Sequence, residues 1–152
     1  CMISARLATA DDSDDVYEWR NDTHTRKMSH TTDAVALTDH KRWFERSLSS
    51  DKRMLIMCES NVDIAKVAVV RFDIDAHSAL VSINMAPEMR AKGLAKDCLQ
   101  SAIRLFTSLQ RHITYINAEI KAVNTASTRT FERVGFTQIK QKNDVFTYQF
   151  LV

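Results

Sequence analysis

Hydrophobic residues recur along the chain with two periods, and the change from one period to the other predicts its elements. Alternating apolar and polar residues are typical of strands, whereas apolar residues three and four positions apart are typical of helices. The pattern predicts a short first strand, two helices, three strands, a helix, a strand, a helix and a last strand, with a further short strand at TQIKQ. This order indicates a mixed α/β domain around one sheet. The main predicted strands are MLIMCES, AKVAVVRFDI, ALVSINMA, ITYINAEIK and VFTYQFLV, and the predicted helices follow Thr9, span LTDHKRWFERSLSS and NTASTRTFERVG, and run from Lys92 to Leu109.

Capping and turn residues predict where several of these elements begin and end. Thr9 and Asp12 have the spacing of a capping box, and Thr38 is the expected N-cap of the second helix. Asn61 lies between two strands, where we expect it to take the left-handed turn conformation. Gly135 is expected to close the last helix as the residue after its final turn.

Composition and charge narrow the class of protein. The chain has 152 residues, a net charge of +2 and a mean hydropathy of −0.27. These values are typical of one globular domain over residues 1–152, and they argue against a nucleic-acid-binding platform and a membrane protein. The cysteines, Cys1, Cys58 and Cys98, lack a CxxC spacing. We therefore expect reduced thiols in a cytoplasmic protein, with no disulfide framework and no metal site.

Glycine is rare in this chain, so the position of Gly93 is informative. The stretch PEMRAKGLAKDCL places it between a strand and a helix, after the only proline, Pro87. The N-terminus of a helix offers unpaired N–H groups and a positive dipole to an anion, and a residue without a Cβ lets a phosphate approach closely. The stretch is therefore interpreted as a pyrophosphate cradle. A plain helix start with solvated basic residues remains the alternative.

The same stretch resembles a known family signature. Residues 90–95, RAKGLA, match the R/Q-x-x-G-x-G/A motif of the GNAT superfamily, the GCN5-related N-acetyltransferases. The preceding INMAP and the following AEIKAVNTASTRTFERVGF resemble that family's fourth strand, fifth strand and following helix, so the likeness covers essentially the whole chain. It implies an α/β (α+β) domain with a mixed, mostly antiparallel sheet, splayed central strands and about four helices.

The resemblance implies acetyl-CoA as co-substrate, bound where the fourth and fifth strands diverge. Backbone groups of the fourth strand would hold the pantetheine arm, an N–H near Met85 would stabilise the oxyanion, and the loop amides would hold the pyrophosphate. Positive charge from Arg90, Lys92 and Lys96 would surround that loop. The implied cofactor residues are Ile83, Asn84, Met85, Arg90, Ala91, Lys92, Gly93, Leu94, Ala95, Lys96, Asn124 and Phe131.

Glu119 lies where many family members carry a catalytic glutamate, and it would take the proton of the attacking amine. An ordinary surface carboxylate is the alternative. Asn124 resembles the family asparagine near the cofactor sulfur, and it also suits a helix N-cap. Phe131 stands where many members have a tyrosine that protonates the leaving thiolate. Tyr148 is a substitute donor or a core residue.

The amine acceptor is indicated by a second resemblance. VYEWRNDTHTRKMSHTT and HKRWFERSL resemble a GNAT subgroup that acts on nucleotide-linked amino sugars, the pseudaminic-acid-pathway type. Peptide and ribosomal-protein N-terminal acetyltransferases, a non-catalytic acetyl-CoA-binding module and a generic interaction domain remain alternatives, and a homodimer is compatible with the superfamily. The acceptor residues implied are Trp19, Arg20, Asn21, Met28, His40 and Trp43, although both tryptophans also fit the core of two helices.

Overall fold

A computed structural model describes residues 2–152 as one sheet covered by helices. Two short 3-10 turns, Ala10–Asp12 and Pro87–Met89, precede the first helix and the loop before the fourth helix. The strands are β1 Ile3–Leu7, β2 Arg53–Ser60, β3 Lys66–Asp75, β4 Ser78–Met85, β5 Tyr115–Lys121, β6 Thr137–Lys142 and β7 Val145–Leu151. The helices are α1 Ser13–Asn21, α2 Thr23–Met28, α3 Leu37–Ser49, α4 Ala95–Leu109 and α5 Thr125–Val134.

The sheet is mostly antiparallel and opens at its centre. Within residues 2–152 its seven strands follow the order β1-β2-β3-β4-β5-β7-β6, and only the β4–β5 pair is parallel. That pair is short, because it joins Ser78–Leu80 to Tyr115–Asn117 and then ends. Beyond it β4 remains paired with β3 as far as Met85, and β5 remains paired with β7 as far as Lys121. The predicted fold class, including the splayed central strands, is confirmed.

Helices cover both faces of the sheet, because neighbouring apolar side chains along its strands point to opposite faces and both faces are buried. Cys58 and Phe72 point towards α4, where the rings of Phe72 and Phe106 stack with centroids 4.0 Å apart. Met57, the neighbour of Cys58 along β2, points to the other face and packs with α1 and α3. The strands near the splay are therefore fixed from two sides, and the diverging edges of β4 and β5 are left without a partner strand inside the sheet.

A buried carboxylate ties the first helix to the sheet. Asp12 is fully buried, and its two oxygens lie 2.8 Å from Arg6 Nη1 and 2.8 Å from Lys66 Nζ. It also accepts a hydrogen bond from the N–H of Thr9 at 2.8 Å, as the predicted capping box requires. Burial alone would raise the pKa of Asp12, but the hydrogen bonds from Arg6 and Lys66 hold it well below its usual range.

Two predicted features agree with the structure, and one helix begins later than predicted. Gly135 closes α5 in the left-handed conformation at φ 114°, and TQIKQ belongs to strand β6. Helix α4 begins at Ala95 rather than at Lys92, because Ala91 and Gly93 have positive φ angles of 59° and 73° that no helix accommodates.

Two other local predictions are wrong, and one short helix was missed. Ala36, not Thr38, is the N-cap of α3, since the helix begins one residue before Thr38. The left-handed residue between β2 and β3 is Ile64 rather than Asn61, because the turn extends further along the chain than the asparagine suggested. A fifth helix, α2, was not expected, since its six residues are too few to show a helical period. Within residues 2–152 no helix is long and apolar enough to span a membrane, and no cluster of three metal-ligating side chains occurs.

Candidate active site

A cleft of about 840 Å³ opens where β4 and β5 diverge. One end is closed by the loop before α4 and the start of α5, and the other by α1, α2 and α3. Polar and apolar side chains share its walls, as is usual for a site that binds a small organic molecule. The predicted site residues on these walls are Arg20, Met28, Trp43, Ile83, Asn84, Met85, Arg90, Ala91, Gly93, Leu94, Ala95, Lys96, Glu119, Asn124 and Phe131.

The free edge of β4 presents backbone groups to the cleft. Ala86 donates its N–H to Val67 on the β3 side at 2.8 Å. Successive residues of a strand direct their backbone groups to opposite sides, so Ile83 and Met85 direct theirs into the splay and Asn84 directs its own towards β3. The expectation that Asn84 would bind pantetheine through its backbone therefore does not fit this register. Ile83 and Met85 do fit it.

The loop before α4 forms a concave row of amides. Ala91 and Gly93 both take the left-handed conformation, which curves the backbone around the helix start. The five successive N–H groups of residues 93–97 have no hydrogen-bond acceptor within the described part of the chain. A Cβ built on Gly93 would meet no atom within 4 Å, so open space lies beside it. These features suit a phosphate.

The basic residues of this loop are not equivalent. Lys96 lies on the cleft wall, whereas Lys92 is exposed and lies away from it, so a direct role for Lys92 does not fit its position. Arg90 is already engaged: its guanidinium donates to the carboxylate of Asp22 and, at 2.7 Å, to Thr25 Oγ1. Arg90 thus links the loop to the start of α2 on the opposite wall.

Glu119 offers an unpaired carboxylate to the cleft. It lies on β5 between the buried Ala118 and Ile120, so its side chain points to the opposite face, where the cleft opens. No cation of residues 2–152 forms an ion pair with it. Its carbonyl oxygen accepts from His30 Nε2 at 3.0 Å, which fixes the backbone beside it. The carboxylate is therefore free to accept a proton from a bound molecule.

Asn124 and Phe131 frame the same end of the cleft from helix α5. Asn124 is the helix N-cap, because its Oδ1 accepts from the N–H of Ser127 at 3.2 Å, and its Nδ2 has no partner in the described residues. Phe131 is 2% exposed and meets Phe136 edge to face at 4.9 Å. Tyr148 does not lie on the cleft wall: it is buried, its hydroxyl donates to Glu132 Oε2 at 3.2 Å, and burial raises its pKa.

The acceptor residues expected from the sequence are only partly brought together. Arg20, Met28 and Trp43 lie on the cleft wall. Trp19 is buried in the core between α1 and the sheet, and direct contact with a ligand of this cleft does not fit that placement.

Asn21 and His40 also lie off the wall, because each is used to hold the backbone. Asn21 exchanges two hydrogen bonds with the main chain of Val35, at 2.9 and 2.8 Å. His40 is fully buried and lies between Arg20, whose Nη1 is 2.9 Å from its Nδ1, and the carbonyl oxygen of Ser13, 2.9 Å from its Nε2. These two residues support the wall rather than form it.

The sequence alone did not single out Arg71 and Asp73, which also line the cleft. The signal was present in RFDI, where both polar residues alternate with the apolar Phe72 and Ile74 and so share one face of β3. That face meets Trp43 on α3, a contact between distant parts of the chain.

Comparison with known families decides the class. Residues 4–137 match the family model described as an acetyltransferase (GNAT) domain, which is most of the chain. The chain belongs to the GNAT acetyltransferase family. A comparison with curated proteins finds no significant match.

Solved structures share this fold, among them two acetyltransferases. A spermidine N-acetyltransferase from Vibrio cholerae in complex with CoA and spermine has a TM-score of 0.87 and 15% identity, covering 99% of this chain and 95% of its own. The aminoglycoside acetyltransferase AAC(6')-Ib in complex with coenzyme A has a TM-score of 0.80 and 15% identity, covering 98% and 94%. An uncharacterised Bacillus halodurans protein has a TM-score of 0.79 and 19% identity, covering 98% and 83%.

The geometry of this GNAT chain fits acetyl-CoA, the co-substrate of the family. The amides of residues 93–97 suit its pyrophosphate, and the backbone groups of Ile83 and Met85 suit its pantetheine arm. Both groups face one continuous cleft that also contains Glu119.

Proposed function

We propose that this GNAT acetyltransferase acetylates the primary amine of a nucleotide-linked amino sugar, with Glu119 as the general base. The observation that carries the proposal is the free carboxylate of Glu119 on the wall of the cleft that the β4 edge also lines. A base is needed because an ammonium ion has no lone pair with which to attack.

In the proposed reaction the nitrogen lone pair of the amine attacks the carbonyl carbon of the thioester. The oxyanion that forms would accept a hydrogen bond from the N–H of Met85, which points into the splay. The new C–N bond is kept, the C–S bond breaks, and the electron pair leaves on the CoA sulfur. Glu119 takes one proton from the ammonium ion before the attack, either directly or through one water molecule, and the nitrogen loses its second proton to solvent as the intermediate collapses.

The acceptor class is supported by the far end of the cleft. Trp43 presents a half-buried ring there, and Arg20 stacks over it with its Cζ 4.3 Å from the ring centroid. Aromatic faces suit sugars and bases, and arginine suits a diphosphate. The structural neighbours named for spermidine and aminoglycosides make polyamines and free amino sugars the competing acceptors. A peptide N-terminus is a further candidate.

The test is release of CoA thiol from acetyl-CoA in the presence of each acceptor class. We expect the highest kcat/KM with a nucleotide-linked amino sugar, and loss of that activity in Glu119→Gln. A preference for spermidine or for an N-terminal peptide would overturn the acceptor assignment. Binding of acetyl-CoA without transfer to any amine would instead favour a non-catalytic module. Sedimentation of the same sample tests the expected homodimer.

A further inference from the structure

Three arginines converge on one tryptophan at the end of the cleft away from the loop before α4. Arg20 of α1, Arg53 of β2 and Arg71 of β3 place their Cζ atoms 4.3, 5.6 and 5.4 Å from the centroid of the Trp43 ring. We call these four residues the arginine cluster. Arg20, Arg71 and Trp43 lie on the cleft wall.

The positive charge of this cluster exceeds the negative charge beside it. Asp73 pairs with both Arg53, at 2.7 Å, and Arg71, at 3.0 Å. Arg20 pairs with no carboxylate of residues 2–152. Asp33, another carboxylate on the cleft wall, forms no ion pair with any of the three. Two of the three guanidinium groups therefore share one carboxylate, and the third, that of Arg20, has none.

Arg20 is held in place without being neutralised. Its Nη1 donates to His40 Nδ1 at 2.9 Å, which requires the proton of His40 to lie on Nε2, facing the carbonyl oxygen of Ser13. Burial lowers the pKa of His40, so the ring remains a neutral acceptor. Burial, and then the charges of Arg71 and Arg53, also lower the pKa of Arg20. A half-buried cation among like charges is stabilised by an anion.

Arg20 has N–H groups besides the one that donates to His40. They have no hydrogen-bond acceptor in the described part of the chain, and no buried side-chain nitrogen or oxygen there lacks a partner. These groups are therefore open to solvent, and Arg20 lies on the cleft wall. A guanidinium fixed on an aromatic ring, with free donors, binds the oxygens of a phosphate or carboxylate in a two-point contact.

We propose that Arg20 and Arg71 bind an anionic group of the acceptor against Trp43, with Arg53 behind them, so that the acceptor is an amine that also carries a phosphate or carboxylate. This inference rests on the proposed function and deepens it, because it names the feature by which the site selects its acceptor. Acceptors that carry only positive charge, such as polyamines and aminoglycosides, would be repelled by the cluster.

The first experiment compares acceptors that share an amine and differ in charge: a UDP-linked amino sugar with the free amino sugar, and an amino acid with its amide. We expect Arg20→Gln and Arg71→Gln each to raise KM for the anionic member ten- to hundredfold, whereas KM for the partner that lacks the anionic group stays the same or falls. The first pair tests phosphate and the second tests carboxylate. Equal changes for both members of both pairs would overturn the proposal. Arg104→Gln, on the exposed outer part of α4, is the matched control.

A binding measurement separates this proposal from the proposed function. UDP and, separately, acetate are titrated into the CoA-saturated protein, since CoA then fills its own phosphate site. We expect one of these anions to bind the wild type and to lose at least tenfold in affinity in Arg71→Gln, which keeps the Arg20–His40 contact. Such binding without acetyl transfer would leave the cluster assigned and the proposed function wrong. Acetyl transfer at the same rate in the wild type and in the arginine variants would instead support the proposed function and overturn the assignment of the arginine cluster. Circular dichroism checks that each variant folds.

Discussion

The guanidinium of Arg90 donates to the carboxylate of Asp22 and so joins the loop before α4 to the start of α2. Both side chains are mostly shielded, with 29% and 24% of their surfaces exposed. The hydrogen bond from Arg90 holds the pKa of Asp22 below its usual range. The loop expected to bind acetyl-CoA and the wall expected to bind the acceptor are thus mechanically connected.

Asp22→Asn tests that connection. Asparagine keeps the oxygen that accepts from the N–H of Thr25, so α2 retains its N-cap, but the ion pair is lost. We expect KM for acetyl-CoA and for the acceptor to rise together by about three- to tenfold, which corresponds to about 1 kcal/mol. A double-mutant cycle with Arg90→Gln measures the coupling, and fully additive effects would contradict it. Asp39→Asn, exposed on α3, is the control.

Gly93 allows bulk and backbone strain to be separated. A Cβ there meets no protein atom within 4 Å, but φ is 73°, which strains a β-branched residue and is tolerated by asparagine. We therefore expect Gly93→Val and Gly93→Asn both to weaken CoA binding by tenfold or more, and only Gly93→Val to lower the melting temperature. Calorimetric titration with CoA checks this, and normal affinity in both variants would place the pyrophosphate elsewhere.

Glu119→Gln should reduce kcat by about 10²- to 10⁴-fold at neutral pH, as expected when a general base is lost. The dissociation constant of acetyl-CoA should change little. The loss should shrink as pH rises, because free amine then becomes abundant without a base. Glu45→Gln, exposed on α3, provides the control. A loss that is the same at every pH would assign proton transfer to another group.

The ion pairs of Asp12 predict how stability depends on pH. Its pKa is lower in the folded chain than in the unfolded chain, so its contribution is present above about pH 4 and is lost as pH falls towards the folded value. Asp12→Asn should lower the free energy of unfolding at pH 7 by about 3 kcal/mol, since Arg6 and Lys66 lose a shared partner. It should also flatten the acid side of the pH–stability curve. Asp11→Asn, exposed beside it, should do neither.

The parts of the site that could be predicted are those that depend on residues of one short segment. The amide row at Gly93, the N-cap at Asn124 and the outward position of Glu119 each follow from a strand–loop–helix boundary or from alternation on one strand. Such features depend on neighbours within a few residues, and local sequence determines them.

The parts that were missed depend on contacts between distant segments. Arg20 and Arg71 lie 51 positions apart in the sequence, and only the packing of α1 and α3 on the sheet brings both to Trp43. Trp19 and Trp43 illustrate the same limit. The sequence predicts an amphipathic helix around each tryptophan. Tertiary packing then buries Trp19 in the core and leaves Trp43 on the cleft wall.

The last prediction concerns how the CoA thiolate leaves. Phe131 lines the cleft at the position where the family resemblance implies a tyrosine, and it has no proton to give. Tyr148 is buried, lies off the cleft wall and donates its hydroxyl proton to Glu132. Burial also raises its pKa, which makes it a weaker acid. We therefore expect the thiolate to leave with help from solvent.

Tyr148→Phe should accordingly change kcat by less than about fivefold, while losing some stability with the hydrogen bond to Glu132. Phe131→Tyr should hold kcat steady or raise it, because the new hydroxyl would extend from a ring that already lines the cleft. Single-turnover kinetics at saturating acetyl-CoA distinguish these outcomes. A drop of a hundredfold or more in Tyr148→Phe, about 2.7 kcal/mol on the barrier, with CoA affinity and fold unchanged, would make Tyr148 the acid. Partial rescue by Phe131→Tyr in that background would then show that position 131 is the vacant donor site.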